Sequence, residues 1–463
     1  MMIDRDRFIL YHGRSHEEVK SCRTYVKTWW QEELAARLEI ADQVCENKFI
    51  FNLPWDMEQT AEIVAFGEAL DWTYMPGKDV AVLKSGAYPR LDYESIWDYG
   101  QAAALKYEAL GTKEPKELMI WQRESGNWYL RSDWGSSADY LHVRCGGLGG
   151  GHGHFDKLHI DLVINGEDFL IDPGRYTYVD GEERRRLKSA AAHNTVLVND
   201  QEYTHCLDAW GVSGLHSAIN GSCNRKGSYT YIQCGHTGYV QQGVLVNRRI
   251  LAIGTKVYIV CDEFCGSGPH HYSQHFHIAP ECYVSEKEGQ DNTVCVSGKK
   301  FEAKMCCLSE HFERKLETFP ISRHYNQMQQ AESVTYYTKP EAIVPQGEHT
   351  FAKTASMLTV IFCTDKENGQ ESMTEYTAER IPVVSLTRGA CLEQCEAEGI
   401  LLSCQKEQYL VVIAHVEAGA DCDYIGAMNH YGLGRVMVAK LLPEEVDQPH
   451  VPGEEQGMTV LCW

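Results

Sequence analysis

The pattern of apolar and polar residues changes character near Leu118. Before this point, apolar residues recur at helical spacing, and helices are predicted over Glu58–Leu70 and Tyr93–Leu110. An earlier helix is indicated by the apolar stripe of Val19, Cys22, Val26, Trp29 and Trp30. From Leu118 onward, short alternating runs separated by turn residues predict β-strands to the end of the chain.

Many short strands with turns between them favour an antiparallel β-sandwich over βαβ units. The fold class expected is therefore mainly β, a large sandwich preceded by a short helical part. The predicted strands are Trp128–Ser132, Tyr140–Arg144, Tyr229–Cys234, Gly243–Asn247, Arg249–Ile253, Val257–Asp262, Val294–Val296, Lys300–Met305, Leu358–Phe362, Gly399–Ser403, Leu410–Ala414 and Met458–Leu461.

One predicted hairpin lies beside a glycine run. The strand Leu158–Ile164 ends at Asn165-Gly166, a strong type I′ turn signal because both central residues need positive φ. The return strand is Phe169–Asp172, and simple pairing would set Asp172 opposite His159. A third strand, Ala192–Asn199, begins with His193. One end of this small sheet is expected to gather His152, His154, Asp172 and His193.

These four residues suggest metal chemistry, because imidazole and carboxylate together suit zinc. In an extended H-x-H segment both histidines point to the same side. One histidine is therefore free to bind a metal while the other faces a ligand. The alternative is that all four are surface polar residues at strand ends, and spacing alone leaves both interpretations open.

Three motifs in this region resemble the heparinase II/III-like polysaccharide lyases. They are HGHFD (152–156), LIDPGRYTY (170–178) and AAHNTVLVND (191–200), in family order and at similar spacing. The resemblance implies that His152 lies in the active cleft. It also implies a metal, usually zinc, held by His154, Asp172 and His193.

The resemblance implies a domain organisation and a gap within it. Residues 1–76 resemble the start of the family's α/α toroid, with the element WDME (55–58), and 77–117 resemble a linker and connector helix. Residues 118–463 would form the complete sandwich. No stretch resembles the toroid segments that supply a catalytic tyrosine and the group neutralising the substrate carboxylate. The missing part is either a coding-sequence loss or a natural feature.

Charge limits the choice of partners. The chain has 43 basic and 65 acidic residues, a net charge of −22, which disfavours nucleic acid. An acidic polysaccharide would also be repelled unless its site had a local basic lining. Arg184 and Arg186, with Arg185 and Lys188, are the candidate lining, and a solvated charged loop is the alternative.

Cysteine usage and hydropathy indicate a compartment. The 18 cysteines are scattered and form no CxxC motif, which fits free thiols in a reducing cytoplasm. We see no apolar segment of signal-peptide or membrane-spanning length, so no membrane association is expected. The prediction is a cytoplasmic protein.

Two further features have open interpretations. The glycines of Gly146–Gly151 suggest a phosphate cradle, but no Lys-Ser/Thr follows and no helix is predicted there. A second histidine cluster is either a polar strand face or another metal site. It comprises His270, His271, His275 and His277.

The function that the resemblance implies is β-elimination of a uronic-acid-containing polysaccharide or oligosaccharide, of glycosaminoglycan or alginate type. The missing toroid is expected to impair this activity. The alternatives are a non-catalytic carbohydrate-binding or structural remnant and, more weakly, a zinc hydrolase using metal-bound water. Three helices cannot close a toroid, so we expect association through the helical end, including a homo-oligomer.

Overall fold

In the computed structural model, two compact units divide the chain into Met1–Lys116 with Trp134–Ser136, and Glu117–Asp133 with Ser137–Trp463. The residues that the structure describes are 116–266, 269–286, 292–309, 312–338, 353–366, 376–405, 407–420, 422–441 and 461–462. The three predicted N-terminal helices and the WDME element lie outside them. The predicted division into three domains stays a prediction.

Antiparallel strands form most of the described residues, and these residues include one short α-helix, α1, at Glu182–Lys188. Three-residue 3-10 helices occur at Ala190–Ala192, Val240–Gln242 and Val416–Ala418. In chain order the strands are β1 Met119–Gln122, β2 Asn127–Arg131, β3 Tyr140–Arg144, β4 His159–Ile164, β5 Glu167–Leu170, β6 Val196–Val198, β7 His205–Cys206, β8 Val212–Ser213, β9 Ala218–Lys226, β10 Tyr229–His236, β11 Val244–Ile253, β12 Val257–Gly266, β13 Tyr272–His277, β14 Tyr283–Glu286, β15 Thr293–Ser297, β16 Phe301–Cys307, β17 Phe312–His324, β18 Gln327–Thr338, β19 Lys353–Asp365, β20 Tyr376–Ile381, β21 Val384–Ser385, β22 Ala390–Cys391, β23 Ala397–Cys404, β24 Glu407–Ala414, β25 Ile425–Ala427, β26 His430–Gly432, β27 Val436–Leu441 and β28 Leu461–Cys462.

The strands form a meander sheet β1-β2-β3-β4-β5 and a central sheet β14-β15-β16-β19-β12-β11-β10-β9. A third sheet, β17-β18-β13-β6, and the meander sheet share one hydrophobic core with one face of the central sheet. The other face of the central sheet packs on the sheet β20-β23-β24-β27-β28. That sheet in turn packs on a small outer sheet, β22-β21-β25-β26. The predicted sandwich is confirmed, and it has stacked layers.

The sequence of β12 shows why the central sheet is covered on both faces. Tyr258 and Val260 belong to the first core, whereas Ile259 and Cys261 belong to the second. A strand buried on both sides reads as a continuous apolar run, without alternation. The two strands predicted on either side of Arg248 are a single strand, β11, because Arg248 is buried and paired and does not end the strand.

The hairpin beside the glycine run is confirmed, with one correction. Asn165 and Gly166 have φ of 51° and 70°, and Ile164 pairs with Glu167 as predicted. A β-bulge at Leu162–Val163 then shifts the register, so that Leu170 lies opposite Leu162 and not Asp161. The expected alignment of Asp172 with His159 is therefore wrong by one residue.

The third predicted strand is shorter than expected and belongs to another sheet. Only Val196–Val198 is extended in a ladder, and the 3-10 helix Ala190–Ala192 precedes it. Strand β6 pairs with β13, not with the hairpin. His193 lies just before β6, so it approaches the hairpin from the neighbouring sheet that contains β6.

The expectations about the cysteines and about membrane-spanning segments also concern the described residues. No disulfide joins the cysteines in this part of the chain. No helix among the described residues has the length and apolar character needed to cross a membrane.

Candidate functional site

Three loops bring the predicted metal ligands together. His154 follows the glycine run between β3 and β4, Asp172 follows β5, and His193 follows α1 and its 3-10 helix. One ligand atom from each lies within 4.8 Å of the others, and the described residues contain no second such group. The structure thus places all three predicted ligands at one point, in an arrangement that a metal ion fits.

The tautomer of His193 is fixed by its backbone partner. Its Nδ1–H donates to the carbonyl oxygen of Ser189 at 2.7 Å, so Nε2 carries the lone pair in the neutral ring. This buried Nε2 lies 3.2 Å from Asp172 Oδ2 without the geometry of a hydrogen bond. Burial alone would lower the pKa of His193, but the Asp172 carboxylate raises it to about 9. Two lone pairs facing each other need a cation between them, either a proton or a metal.

The backbone of Gly174 holds the second oxygen of the Asp172 carboxylate, the one that does not face His193. Its Oδ1 accepts the backbone N–H of Gly174 at 2.7 Å, which leaves Oδ2 toward His193. Gly174 has φ +80°, and a Cβ there would lie 2.1 Å from the carbonyl oxygen of Ser322, so only glycine fits. Burial would raise the pKa of Asp172, but the positive charge of the adjacent His193 imidazolium holds it well below its usual range.

His154 completes the group as a neutral imidazole, because burial lowers its pKa to about 4. Its Nε2 accepts a hydrogen bond from Arg184 Nη1 at 3.1 Å. A cation on this nitrogen would replace that contact. Tetrahedral zinc with bonds of about 2.0–2.1 Å sets its ligand atoms about 3.3 Å apart. His193 and Asp172 already have this spacing.

A buried amide ties the loops to the sheets. The Asn194 side chain donates to the carbonyls of Ile160 and Ile171 at 2.7 and 3.2 Å, and its oxygen accepts the backbone N–H of His277 at 2.6 Å. Asn194 therefore joins β4, the segment before Asp172, and β13 next to His193.

Behind Asn194 lies a fully buried ion pair. Arg248 forms two hydrogen bonds with Asp262, at 2.6 and 2.7 Å, and also donates to the carbonyls of Asn194 and Leu158. Such a pair fixes the geometry of the site from the central sheet.

The second histidine cluster bonds to protein groups. His275 contacts the hydroxyls of Ser273 and Thr335, at 2.9 and 3.2 Å, and His277 Nδ1 lies 3.2 Å from Asn194 Oδ1. These contacts are those of a polar strand face.

His152 has a different set of partners from the three metal-type ligands. It is exposed, and its Nδ1 lies 3.0 Å from the hydroxyl of Tyr178. Its ring meets those of Tyr178 and Trp210 edge-on, at centroid distances of 5.0 and 5.3 Å. Arg175 Nη1 donates to the same hydroxyl at 2.5 Å. No pattern in the sequence marks Tyr178, Arg175 or Trp210 as site residues, although the first two lie inside the motif LIDPGRYTY.

The predicted basic residues divide between the interior and the surface. Arg184 is 1% exposed and its guanidinium lies 5.7 Å from the Tyr178 ring centre. Arg186 is exposed and lies over Phe319 at 4.8 Å. Lys157 and Lys188 are also buried, at 6% and 0% exposure. In the described part of the chain, Arg184, Lys157 and Lys188 form no ion pair with a carboxylate.

A comparison with solved structures finds this fold in heparan sulfate lyases. A HepC mutant from Pedobacter heparinus matches with a TM-score of 0.55 and 15% identity, over 74% of this chain and 49% of that one. HepC itself matches with a TM-score of 0.54 and 16% identity, over 77% and 54% of the two chains. The heparinase III BT4657 gene product matches with a TM-score of 0.54 and 16% identity, over 72% and 49%. The chain thus spans about half the length of these structures.

Curated proteins and family models give different results. No curated protein matches the chain. The model of the heparinase II/III-like C-terminal domain matches residues 115–359, more than half of the chain, and includes all three quoted motifs. With the shared fold and the three motifs, this match shows that the chain belongs to the heparinase II/III-like family.

Proposed function

We propose that this chain binds a uronic-acid-containing polysaccharide or oligosaccharide beside His152 and cleaves it slowly by β-elimination. Glycosaminoglycans and alginate are the substrate types considered. The proposal draws on family membership, on the heparan sulfate lyases that share the fold, and on the chemistry of the cleft.

The observation that carries the proposal is the set of buried cations without carboxylate partners. A buried charge is costly unless an opposite charge is near, and in a low-dielectric interior its field extends further than in water. Arg184, Lys157 and Lys188 therefore give the region a positive potential, although the chain as a whole is strongly acidic. An acidic sugar is the kind of ligand that such a region attracts.

We further propose that His154, Asp172 and His193 hold zinc in the wall of this cleft. When bound, the ion would neutralise the Asp172 carboxylate and fix the three loops relative to one another. The free Nε2 of His193 and its 3.2 Å spacing to Asp172 support this assignment.

The proton transfers of β-elimination are assigned to the exposed side of the site. The proton at C5 leaves to a base, the bond from C4 to the leaving oxygen breaks, a C4–C5 double bond forms, and the leaving oxygen takes a proton. The Tyr178 hydroxyl accepts from Arg175 and lies 3.0 Å from His152 Nδ1, an arrangement suited to moving a proton between the two groups. Arg175 and Arg184 stabilise the negative charge that develops on the uronate.

We expect the rate to be low. No stretch of the sequence resembles the toroid segments that carry the family's tyrosine and carboxylate-neutralising group. Loss of one proton-transfer residue costs about 10²–10⁴-fold, and loss of electrostatic stabilisation costs about as much again. Tyr178 and the arginines would replace those groups only in part.

The test compares variants by the absorbance of the unsaturated uronate product. On heparan sulfate, hyaluronate, chondroitin and alginate, Tyr178→Phe should lower the rate by about 10²-fold or more. Tyr283→Phe, at a tyrosine that is 72% exposed on another sheet, should leave it unchanged. Equal rates in the two variants would remove Tyr178 from the mechanism.

A further inference from the structure

The glycine run forms one wall of a cavity that also reaches His154, Asp156 and Lys157. This glycine loop, residues Gly146–Gly151, lines a space of about 400 Å³ together with Trp210 and Leu215. Small-molecule sites typically occupy about 300–1,000 Å³. Trp210 and Leu215 are 46% and 69% exposed, so apolar surface lies opposite the loop.

The loop's carbonyl groups face basic side chains. Lys157 donates to the carbonyl of Gly146 at 2.5 Å, Arg144 to that of Gly147 at 2.6 Å, and Lys188 to that of Gly151 at 3.3 Å. The described chain contains no cis peptide bond. In a trans peptide the N–H points opposite to the carbonyl of the same unit. The N–H groups of Gly147, Leu148 and His152 therefore point away from the cations.

The loop's amides have no protein acceptor. Among the described residues, none of the backbone N–H groups from Gly147 to His152 donates a hydrogen bond to another protein group. Successive backbone N–H groups without a protein acceptor are available to an anion. The positive charges behind the carbonyls add to this preference.

Two of the glycines have no packing reason to be glycine. A Cβ built on Gly147 or Gly150 would meet no atom within 4 Å, and neither residue has positive φ. By contrast, a Cβ built on Gly151 would lie 3.0 Å from the Trp210 ring. Glycine at the two open positions leaves the backbone accessible to a ligand.

We propose that the glycine loop binds the oxyanion of a sugar unit adjacent to the one at His152, with Trp210 and Leu215 against the sugar ring. The oxyanion is a carboxylate or a sulfate, which share the acceptor geometry that the free amides require. This inference rests on the proposed function, because it assumes an acidic saccharide in the cleft.

The experiment measures saccharide binding by calorimetry in the full chain. The probes are a hyaluronate tetrasaccharide with carboxylates, a heparan sulfate tetrasaccharide with carboxylates and sulfates, and neutral cellotetraose. Gly147→Ala and Gly150→Ala should each raise the Kd of an acidic probe about tenfold, since a methyl group would stand between ligand and amides. Gly181→Ala is the matched control, because its Cβ also meets no atom within 4 Å.

The outcomes separate the two proposals. Weaker binding of both acidic probes supports a carboxylate site, and weaker binding of heparan sulfate alone supports a sulfate site. Acidic probes that bind all the glycine variants within twofold of the unsubstituted chain would overturn the loop's role and leave the proposed function standing. If the unsubstituted chain binds neither acidic probe, or binds cellotetraose equally well, both proposals fail.

Discussion

At the scale of single residues, one hydrogen bond determines what the group of His154, Asp172 and His193 can hold. Because His193 Nδ1 donates to the Ser189 carbonyl, its other nitrogen must face Asp172 as a lone pair or as an imidazolium. Metal-binding histidines commonly use such a backbone acceptor to fix their orientation. The Ser189 carbonyl thus orients His193 so that its Nε2 can face a cation.

The first prediction concerns metal content. The purified protein should contain roughly one zinc-like ion per chain, as three protein ligands with an open position allow. His154→Ala and Asp172→Ala should each release it, because two ligands seldom retain zinc. His324→Ala, at an exposed histidine, should not. Elemental analysis that finds unchanged zinc in both ligand variants would refute the assignment.

The second prediction separates His152 from the metal. Its ring contacts Tyr178 and Trp210 and not the three ligands. His152→Ala should therefore keep the zinc and the fold, and should weaken binding of an acidic tetrasaccharide about tenfold, as loss of one or two polar contacts would. If this variant loses zinc, the roles of the two histidines have been exchanged.

At the scale of elements, turns could be predicted from local residue patterns, whereas the pairing register of the strands could not. The Asn165-Gly166 turn could be predicted because its backbone demands positive φ, and the register was then lost to a bulge that no residue pattern marks. The hairpin β17–β18 was missed because its exposed faces are polar and Pro320 interrupts the pattern.

The residues of the site divide in the same way, into those that a motif reveals and those that only the folded chain brings together. The three metal-type ligands could be predicted from motif spacing and resemblance. Tyr178 and Trp210 could not, because they meet only when the segment after Asp172 folds against the loop before β8. The free amides of the glycine loop were beyond prediction, since they depend on where every neighbouring carbonyl and cation lies.

The third prediction concerns the buried pair that supports the site. Arg248→Met would leave the buried Asp262 carboxyl without its ion-pair partner, with only the Gln274 side chain donating to it, and should lower the free energy of unfolding by about 3–5 kcal/mol. The control, Arg185→Met, breaks a pair with Asp180 whose side chains are more than two-fifths exposed and should cost under about 1 kcal/mol. Denaturant titration of both variants makes the comparison. Similar losses would mean that the Arg248 pair does not support the core.

At the scale of the whole molecule, buried histidines control the pH dependence of stability. Burial lowers the pKa of His236 to about 3 and of His275 to about 4. Below pH 6.5 the unfolded chain therefore binds more protons than the folded chain, and stability falls as pH falls toward 4. Burial would also lower the pKa of His415, but Glu263 and Glu398 raise it to about 9. Its contribution is complete below pH 6.5 and is lost as pH rises through 9.

The fourth prediction follows from the directions of these pKa shifts. The midpoint of thermal unfolding should be highest near pH 6.5 and decrease on both sides. His415→Gln should flatten the alkaline side in part, because His193 also has a pKa raised to about 9. Burial would raise the pKa values of Glu263 and Glu398 but His415 lowers them, so the acid side should change in this variant as well. A midpoint that rises steadily from pH 6.5 to 9 in the unsubstituted chain would contradict this assignment.

The central claim, a slow lyase built on the sandwich wall, is tested most directly by turnover. The measurement is the rate of unsaturated uronate formation from heparan sulfate, hyaluronate, chondroitin and alginate by the zinc-loaded chain. We expect measurable product at well below about one turnover per second, the lower end of ordinary enzyme rates. A rate of about one per second or more would show a complete site, and no product from any of the four, with acidic saccharide still bound, would show a binding protein instead.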